Sequence, residues 1–194
     1  MKKIILFALL LLGGFSYSAH AQKVALKTNV LYDATTTANL GLEFGMGQRW
    51  TFDISGNLNA WNAFGETRFR HWMVQPELRF WFCDRFNGHF LGLHGIGGKY
   101  NFAKIPNNIK FLGTDLSPLT DYRFQGWGVG AGLAYGYSII LSRHLNLEFE
   151  LGAGYIYTRF DKFECKDCGK KLEENKPHHY VGPTKAAINL VVAF

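Results

Sequence analysis

The chain has 194 residues, of which 22 are glycine, 16% are aromatic and only 19% are charged, with a formal net charge of +6. One domain is the natural count at this length, and abundant glycine beside aromatic residues suits a β-rich protein better than a helical one. The lysines and arginines are scattered rather than clustered, which argues against a nucleic-acid partner and suits a solvated or lipid-headgroup-facing surface.

Met1-Lys2-Lys3, an apolar run over residues 4–15 and the small-residue stretch ending Ala19-His20-Ala21 read as a signal peptide over residues 1–21. Removing it takes Lys2 and Lys3 away, so residues 22–194 carry +6 − 2 = +4. The apolar run is shorter than the roughly 20 residues a bilayer-spanning helix needs, and no later run reaches that length. A helical membrane protein is thereby excluded. No cysteine follows the cleavage site, so a lipoprotein anchor is not indicated.

From Lys23 onward apolar and polar residues alternate, the mark of extended strands with two unlike faces. Residues 23–33 set Val24, Leu26, Val30 and Tyr32 against Lys27 and Asn29. A polar connection leads to residues 39–46, where Leu40, Leu42, Phe44 and Met46 oppose Gly41, Glu43 and Gly45. After a turn at 47–49, residues 50–61 put Trp50, Phe52, Ile54 and Leu58 opposite Thr51, Asp53, Ser55, Asn57 and Asn59. Residues 69–82 set Trp72, Val74, Leu78, Phe80 and Phe82 against His71, Met73, Gln75, Glu77 and Arg79. Pro76 cannot donate a ladder hydrogen bond, so a local bulge is expected there.

A turn at 83–88 leads to residues 89–100, where both parities carry apolar residues and the faces are ambiguous. A long polar segment, 101–121, follows. Residues 122–141 place Trp127, Val129, Leu133, Tyr135, Tyr137 and Ile139 opposite glycines, Ala134 and Ser138. Residues 145–157 set Leu145, Leu147, Phe149, Leu151, Tyr155 and Tyr157 against Asn146, Glu148 and Glu150. A second long charged segment spans 158–179, and residues 180–194 make the eighth strand. Short and long connections alternate, which in an up-and-down meander puts the short turns and both termini at one end.

Alternation alone does not say which face is inside, but volume does. An eight-stranded barrel has an interior only just wide enough for side chains, and rows of Trp, Phe, Tyr and Leu would overfill it. The other face carries small residues and complementary charges: Lys27, Glu43, Asp53, Glu77, Arg79, Glu148, Glu150 and Lys185. These suit a narrow polar interior with paired charges, and strands of about ten residues with terminal aromatics suit a lipid-facing exterior. The expected fold is all-β, an eight-stranded antiparallel up-and-down transmembrane β-barrel whose last strand closes on the first.

The runs KTNVLYDATTTANLGLEFGMGQRWTFDISGNLNAW, GHFLGLHGIGGKYN and LNLEFELGAGYIYTRF resemble a family of small outer-membrane β-barrels of unknown function found in Bacteroidota, and more loosely the OmpA- and OmpX-like eight-stranded barrels. The resemblance spans nearly all of residues 22–194. It implies an outer-membrane location, outer-membrane lipid and the barrel-assembly machinery as partners, and a role for Phe194 as the aromatic assembly signal. It implies no activity and no catalytic residues.

Cys165-x-x-Cys168 followed by His178-His179 admits a zinc site, since thiolates and imidazole complete a tetrahedron. It equally admits a local disulfide or free thiols in an exposed loop, and the adjacent histidines lack the usual intervening residues. Cys83 belongs to the opposite end and should be free. Glu148 and Glu150 share a face at a spacing of about 7 Å that a paired-carboxylate catalyst could use, but a polar plug needs the same residues. No G-x-S-x-G is present, and His71 and His94 lack an obvious nucleophile and orienting acid.

The expected function is a non-enzymatic barrel, structural or surface-interacting, whose two long extracellular loops (101–121 and 158–179) meet an extracellular or surface protein, with no cofactor. An outer-membrane enzyme acting on lipid or peptide at the barrel rim, and a narrow pore, stand as alternatives.

Overall fold

A strand turns successive side chains to opposite faces, and the alternating stretches of this chain fold accordingly. In the computed structural model they form β1 (Val24–Asn29), β2 (Ala38–Gly45), β3 (Trp50–Asn59), β4 (Arg68–Trp81), β5 (Gly88–Ala103), β6 (Arg123–Ile140), β7 (Leu145–Phe163) and β8 (Lys171–Ala193), with a short helix α1 (Val30–Ala34). The structure describes residues 23–61, 67–105, 110–111, 114–115, 117–165, 167 and 169–194. The expected signal peptide, residues 1–21, and Cys168 lie outside the described residues.

Consecutive strands pair antiparallel and β1 pairs with β8, so the sheet closes into an up-and-down ring, a closed barrel. Lys23 N donates to Phe194 O at 2.9 Å and Phe194 N to Val24 O at 2.8 Å, which ties the two ends of the described chain together. The short connections 46–49, 82–87 and 141–144 lie at this same end, and the long connections lie at the other.

Strand length climbs steadily around the ring, through 6, 8, 10, 14, 16, 18, 19 and 23 residues from β1 to β8. The shortest strand therefore meets the longest, and their pairing runs only from Ala25↔Ala193 to Asn29↔Asn189. Above that seam β8 has no strand on its second edge among the described residues. Asn29 covers the first step of the gap: its Nδ2 donates to Ala186 O at 3.2 Å and its Oδ1 accepts from Ile188 N at 3.2 Å. Pro177 and Pro183 lie on the unpaired stretch, where proline blunts an edge.

Three expectations change. Residues 23–33 are not one strand: the Asn29 Oδ1 also accepts from Leu31 N at 3.1 Å and caps α1, while Asp33 accepts from Thr28 and Asn39 and holds the turn in place. No bulge forms at Pro76. The register with β3 is continuous there, and the ladder with β5 merely skips Gln75 and Pro76 between Val74↔Gly97 and Glu77↔His94. The break in register falls instead between Pro183 and Lys185 in β8, where the extra residue turns Thr184 and Lys185 inward together.

Third, most of 158–179 is strand rather than loop. Residues 158–163 pair with 171–178 as a ribbon whose register shifts twice between Lys171 and Lys176. Both parities of that stretch mix polar and aromatic residues and neither carries a continuous apolar row, which is why its sequence looked like a loop. The segment 101–121 likewise begins as the last residues of β5 and later carries the two-residue strands Lys110–Phe111 and Thr114–Asp115.

The interior is layered. Beside the termini an apolar cluster of Ala25, Trp81, Phe86, Phe90, Val191 and Ala193 seals the ring. Phe86 sits at φ +64 in the 82–87 turn, and its buried ring offsets that left-handed backbone. Charged residues fill the middle, and aromatic rings line the inner wall toward the long connections.

Candidate functional site

The ionic residues gather because parity leaves them no alternative. Lys27, Glu43, Asp53, Glu77, Arg79, Glu148, Glu150 and Lys185 come from six strands, all face inward, and none is more than 7% exposed. Arg79 is their centre. Its Nη1 lies 2.9 Å from Glu43 Oε2 and 3.1 Å from Glu148 Oε2, and its Nη2 lies 2.8 Å from Glu150, 3.4 Å from Glu77 and 3.5 Å from Asp53. Lys27 pairs with Glu43 and, at 2.9 Å, with Glu148; Lys185 pairs with Glu77 and, at 2.9 Å, with Glu150.

Three cations thus face five carboxylates, and a planar guanidinium reaches all five where a compact ammonium could not. Neighbouring groups complete the arrangement. Thr51 donates to Glu43 and accepts from Trp81 Nε1 at 2.9 Å, which fastens the charged layer to the apolar one beneath it. The Arg79 guanidinium stands 4.5 Å above the Phe90 ring. A Cβ at Gly92 would strike the Glu77 carboxylate and one at Gly136 the Phe90 ring, so these two glycines make the space the interior side chains occupy.

Charge held this way does little chemistry. Glu148 and Glu150 are paired with Arg79 and shut from solvent, so neither carboxylate is presented to a substrate. A cavity of about 20 Å³, enough for roughly one water, lies beside Lys27, Asp53 and Lys185.

The remaining candidates fall apart spatially. Cys165 is disulfide-bonded, so it has no thiolate to offer a metal, and Cys83 is free and exposed. His178 and His179 point to opposite faces of β8. His178 meets Phe160 at 6.5 Å inside the ring, and His179 lies outside against Tyr155 and Tyr157 at 5.9 and 5.3 Å. At about 3.3 Å per residue, the rungs from Phe163↔Lys171 to Thr158↔His178 alone hold them about 16 Å from the Cys165 turn. Among the described residues, Cys165, His178 and His179 of the candidate zinc constellation are not brought together; Cys168 lies outside them. His94 is buried with Nε2 2.8 Å from Thr184 Oγ1, and His71 lies among Phe69 and Phe102 on the inner wall. Phe194 is exposed on the outside of the ring.

Sequence reasoning passed over Trp81 and Phe90, which plug the ring although they are apolar. Parity carried the signal: Trp81 shares its face with Glu77 and Arg79, and Phe90 shares its face with His94.

The chain matches, over residues 5–194, the model of a family described as "Protein of unknown function (DUF3575)". No curated protein and no solved structure matches it.

Proposed function

Because the chain belongs to the DUF3575 family, whose function is unknown, we propose its role from its own geometry: a non-enzymatic outer-membrane barrel that carries its long connections as a surface for an extracellular or surface protein. The observation that carries this reading is the outside of the ring. Leu93, Leu133 and Leu151 are 56%, 69% and 72% exposed there, amid exposed Leu40, Val129, Ile139, Tyr135 and Phe149. An apolar belt of this extent in water would drive association.

On β6 the outward row from Trp127 to Ile139 holds no charge. It measures about 40 Å along the strand, or about 30 Å along the ring axis at the usual tilt, which is the thickness of a bilayer core. Trp72 and Trp127 end the belt on the long-connection side, with Lys99 and Arg159 on the same rungs as these rings and Arg70 next beyond Trp72 on the same outward face. Aromatic rings beside cations are what a headgroup region selects.

The enzyme reading is weakened by the burial of Glu148 and Glu150, and the pore reading by the packed ionic layer. Reconstitution into vesicles of phosphatidylcholine brominated on its acyl chains tests the proposal. Tryptophan fluorescence should be quenched and the bilayer should stay insulating; unquenched tryptophans would refute the spanning orientation, and steady single-channel current would replace the scaffold with a pore.

A further inference from the structure

On the outer wall, one rung near the long connections is in continuous register: Trp72↔Lys99, Lys99↔Trp127 and Trp127↔Arg159. Indole and cation thus alternate across four neighbouring strands, β4 to β7. Arg70, two positions beyond Trp72 on the same outward face, adds a third cation. At the other end of the belt the outward rung His89↔Tyr137, Tyr137↔Phe149 and Phe149↔Ile188 holds no lysine or arginine. Aromatic rings are expected at both interfaces, so it is the cations that set one end apart.

The row is arranged to meet an acceptor. Among the described residues no carboxylate pairs with Lys99 or Arg159. Arg159 Nε donates to the Tyr157 hydroxyl at 2.8 Å, and the Tyr157 ring meets Trp127 edge-on at 6.1 Å. The guanidinium is thereby fixed beside the indole, with Nη1 and Nη2 left for a phosphate or carboxylate. Asp161, two positions further along β7, already accepts the Asn175 N–H at 2.8 Å and pairs with Lys171 at 3.0 Å. Trp72 and Trp127 are 47% and 40% exposed, so ring surface stays open between the cations.

Spacing selects among anions. Lys99 and Arg159 stand two strands apart, about 10 Å, and Arg70 and Arg159 three strands apart, about 14 Å. The row is wider than one phosphodiester and matches a headgroup that carries phosphate on sugar rings. The C–H face of a sugar packs on an indole as other apolar surface does, and Lys and Arg supply charge-assisted bonds to phosphate oxygens.

We infer that this row holds a phosphorylated glycolipid of the leaflet on the long-connection side, its phosphate on Lys99 and Arg159, its sugar on Trp127, and Arg70 as a further phosphate contact. The inference rests on the spanning orientation proposed above.

The experiment reconstitutes the full chain into vesicles of acyl-brominated phosphatidylcholine. These contain a minor share of diphosphoryl lipid A, of the same glycolipid stripped of its phosphates, or of phosphatidylglycerol. The chain is then captured in mild detergent and its retained lipid is quantified. Diphosphoryl lipid A should be retained stoichiometrically and the other two about tenfold less. Lys99→Gln with Arg159→Gln should lower retention about tenfold, and Trp127→Leu should lower it about threefold. Arg143→Gln, at the opposite end, should leave it unchanged, and excess inorganic phosphate should not displace the glycolipid. Circular dichroism confirms that each variant folds, and Lys99→Gln alone replaces the double variant if that one does not. Tryptophan quenching in the same vesicles measures spanning separately. Its absence would overturn the orientation and the site with it, whereas quenching without selective retention would overturn the site alone. Retention unchanged in the double variant, or displacement by inorganic phosphate, would also overturn the site.

Discussion

Arg79 Nη2 donates to Glu150 Oε2 at 2.8 Å inside the ring, and neither side chain is more than 2% exposed. The same guanidinium serves four other carboxylates, so its loss strands more charge than the loss of any other member. Replacing one partner of a buried ion pair costs about 3–5 kcal/mol because the other is left unmatched. Arg79→Met should therefore destabilise the ring by about that amount in urea unfolding. Adding Glu148→Gln and Glu150→Gln to Arg79→Met should recover part of the loss, since residues in one network do not act additively.

One tight interior glycine and one roomy outward glycine make a sharper test of interior packing. A methyl at Gly136 meets the Phe90 ring and, at 2.8 Å, Phe149 O, whereas the nearest atom to a methyl at Gly97 is Val129 Cγ1 at 3.9 Å. Gly136→Ala should cost about 1–3 kcal/mol by overpacking, and Gly97→Ala should be near neutral in the same assay.

Much of this was legible from period two. Lys27, Glu43, Asp53, Glu77, Arg79, Glu148, Glu150 and Lys185 were placed on one face by counting alone, and the small interior of an eight-stranded ring, which the bulky apolar rows would overfill, decides that this face turns inward. Three things escaped. Val30 and Tyr32 continue the parity of Val24 and Leu26, so nothing in the alternation reveals the helix that Asn29 caps. Both Pro76 and Pro183 lack an N–H, and sequence cannot tell that one drops two rungs in register while the other adjoins an inserted Thr184. The zinc constellation read Cys165, His178 and His179 as neighbours in a loop, whereas a paired ribbon spaces them along its length and turns the two histidines apart.

If the outer belt faces lipid, a charge at its middle is expensive there and nearly free at its rim. Leu133→Arg should lower stability in lipid vesicles by about 2–4 kcal/mol, the usual penalty for arginine near a bilayer midplane. Gln125→Arg, two positions beyond Trp127, should change it by less than about 1 kcal/mol. Equal effects at the two positions would mean that the belt does not face hydrocarbon.

Above the ring, Asp161 accepts the Asn175 backbone N–H at 2.8 Å and pairs with Lys171 at 3.0 Å. The backbone N–H and then the Lys171 ammonium hold its carboxyl below the ordinary value near 3.8. A carboxyl lowered in the folded state contributes stability that is fully present above the unfolded value and is lost as pH falls through the folded one. Hydrogen exchange at the Asn175 amide should accordingly lose protection only below about pH 3.8, relative to the intrinsic rate. Asp161→Asn should remove that pH dependence.

Fractionation of a Gram-negative host expressing the full chain tests the proposed outer-membrane placement of this ring most directly. The processed chain should sediment with the outer membrane, resist carbonate extraction and be released only by detergent. Recovery from the soluble periplasm without detergent would contradict it, and the exposed leucines would then need a different cover.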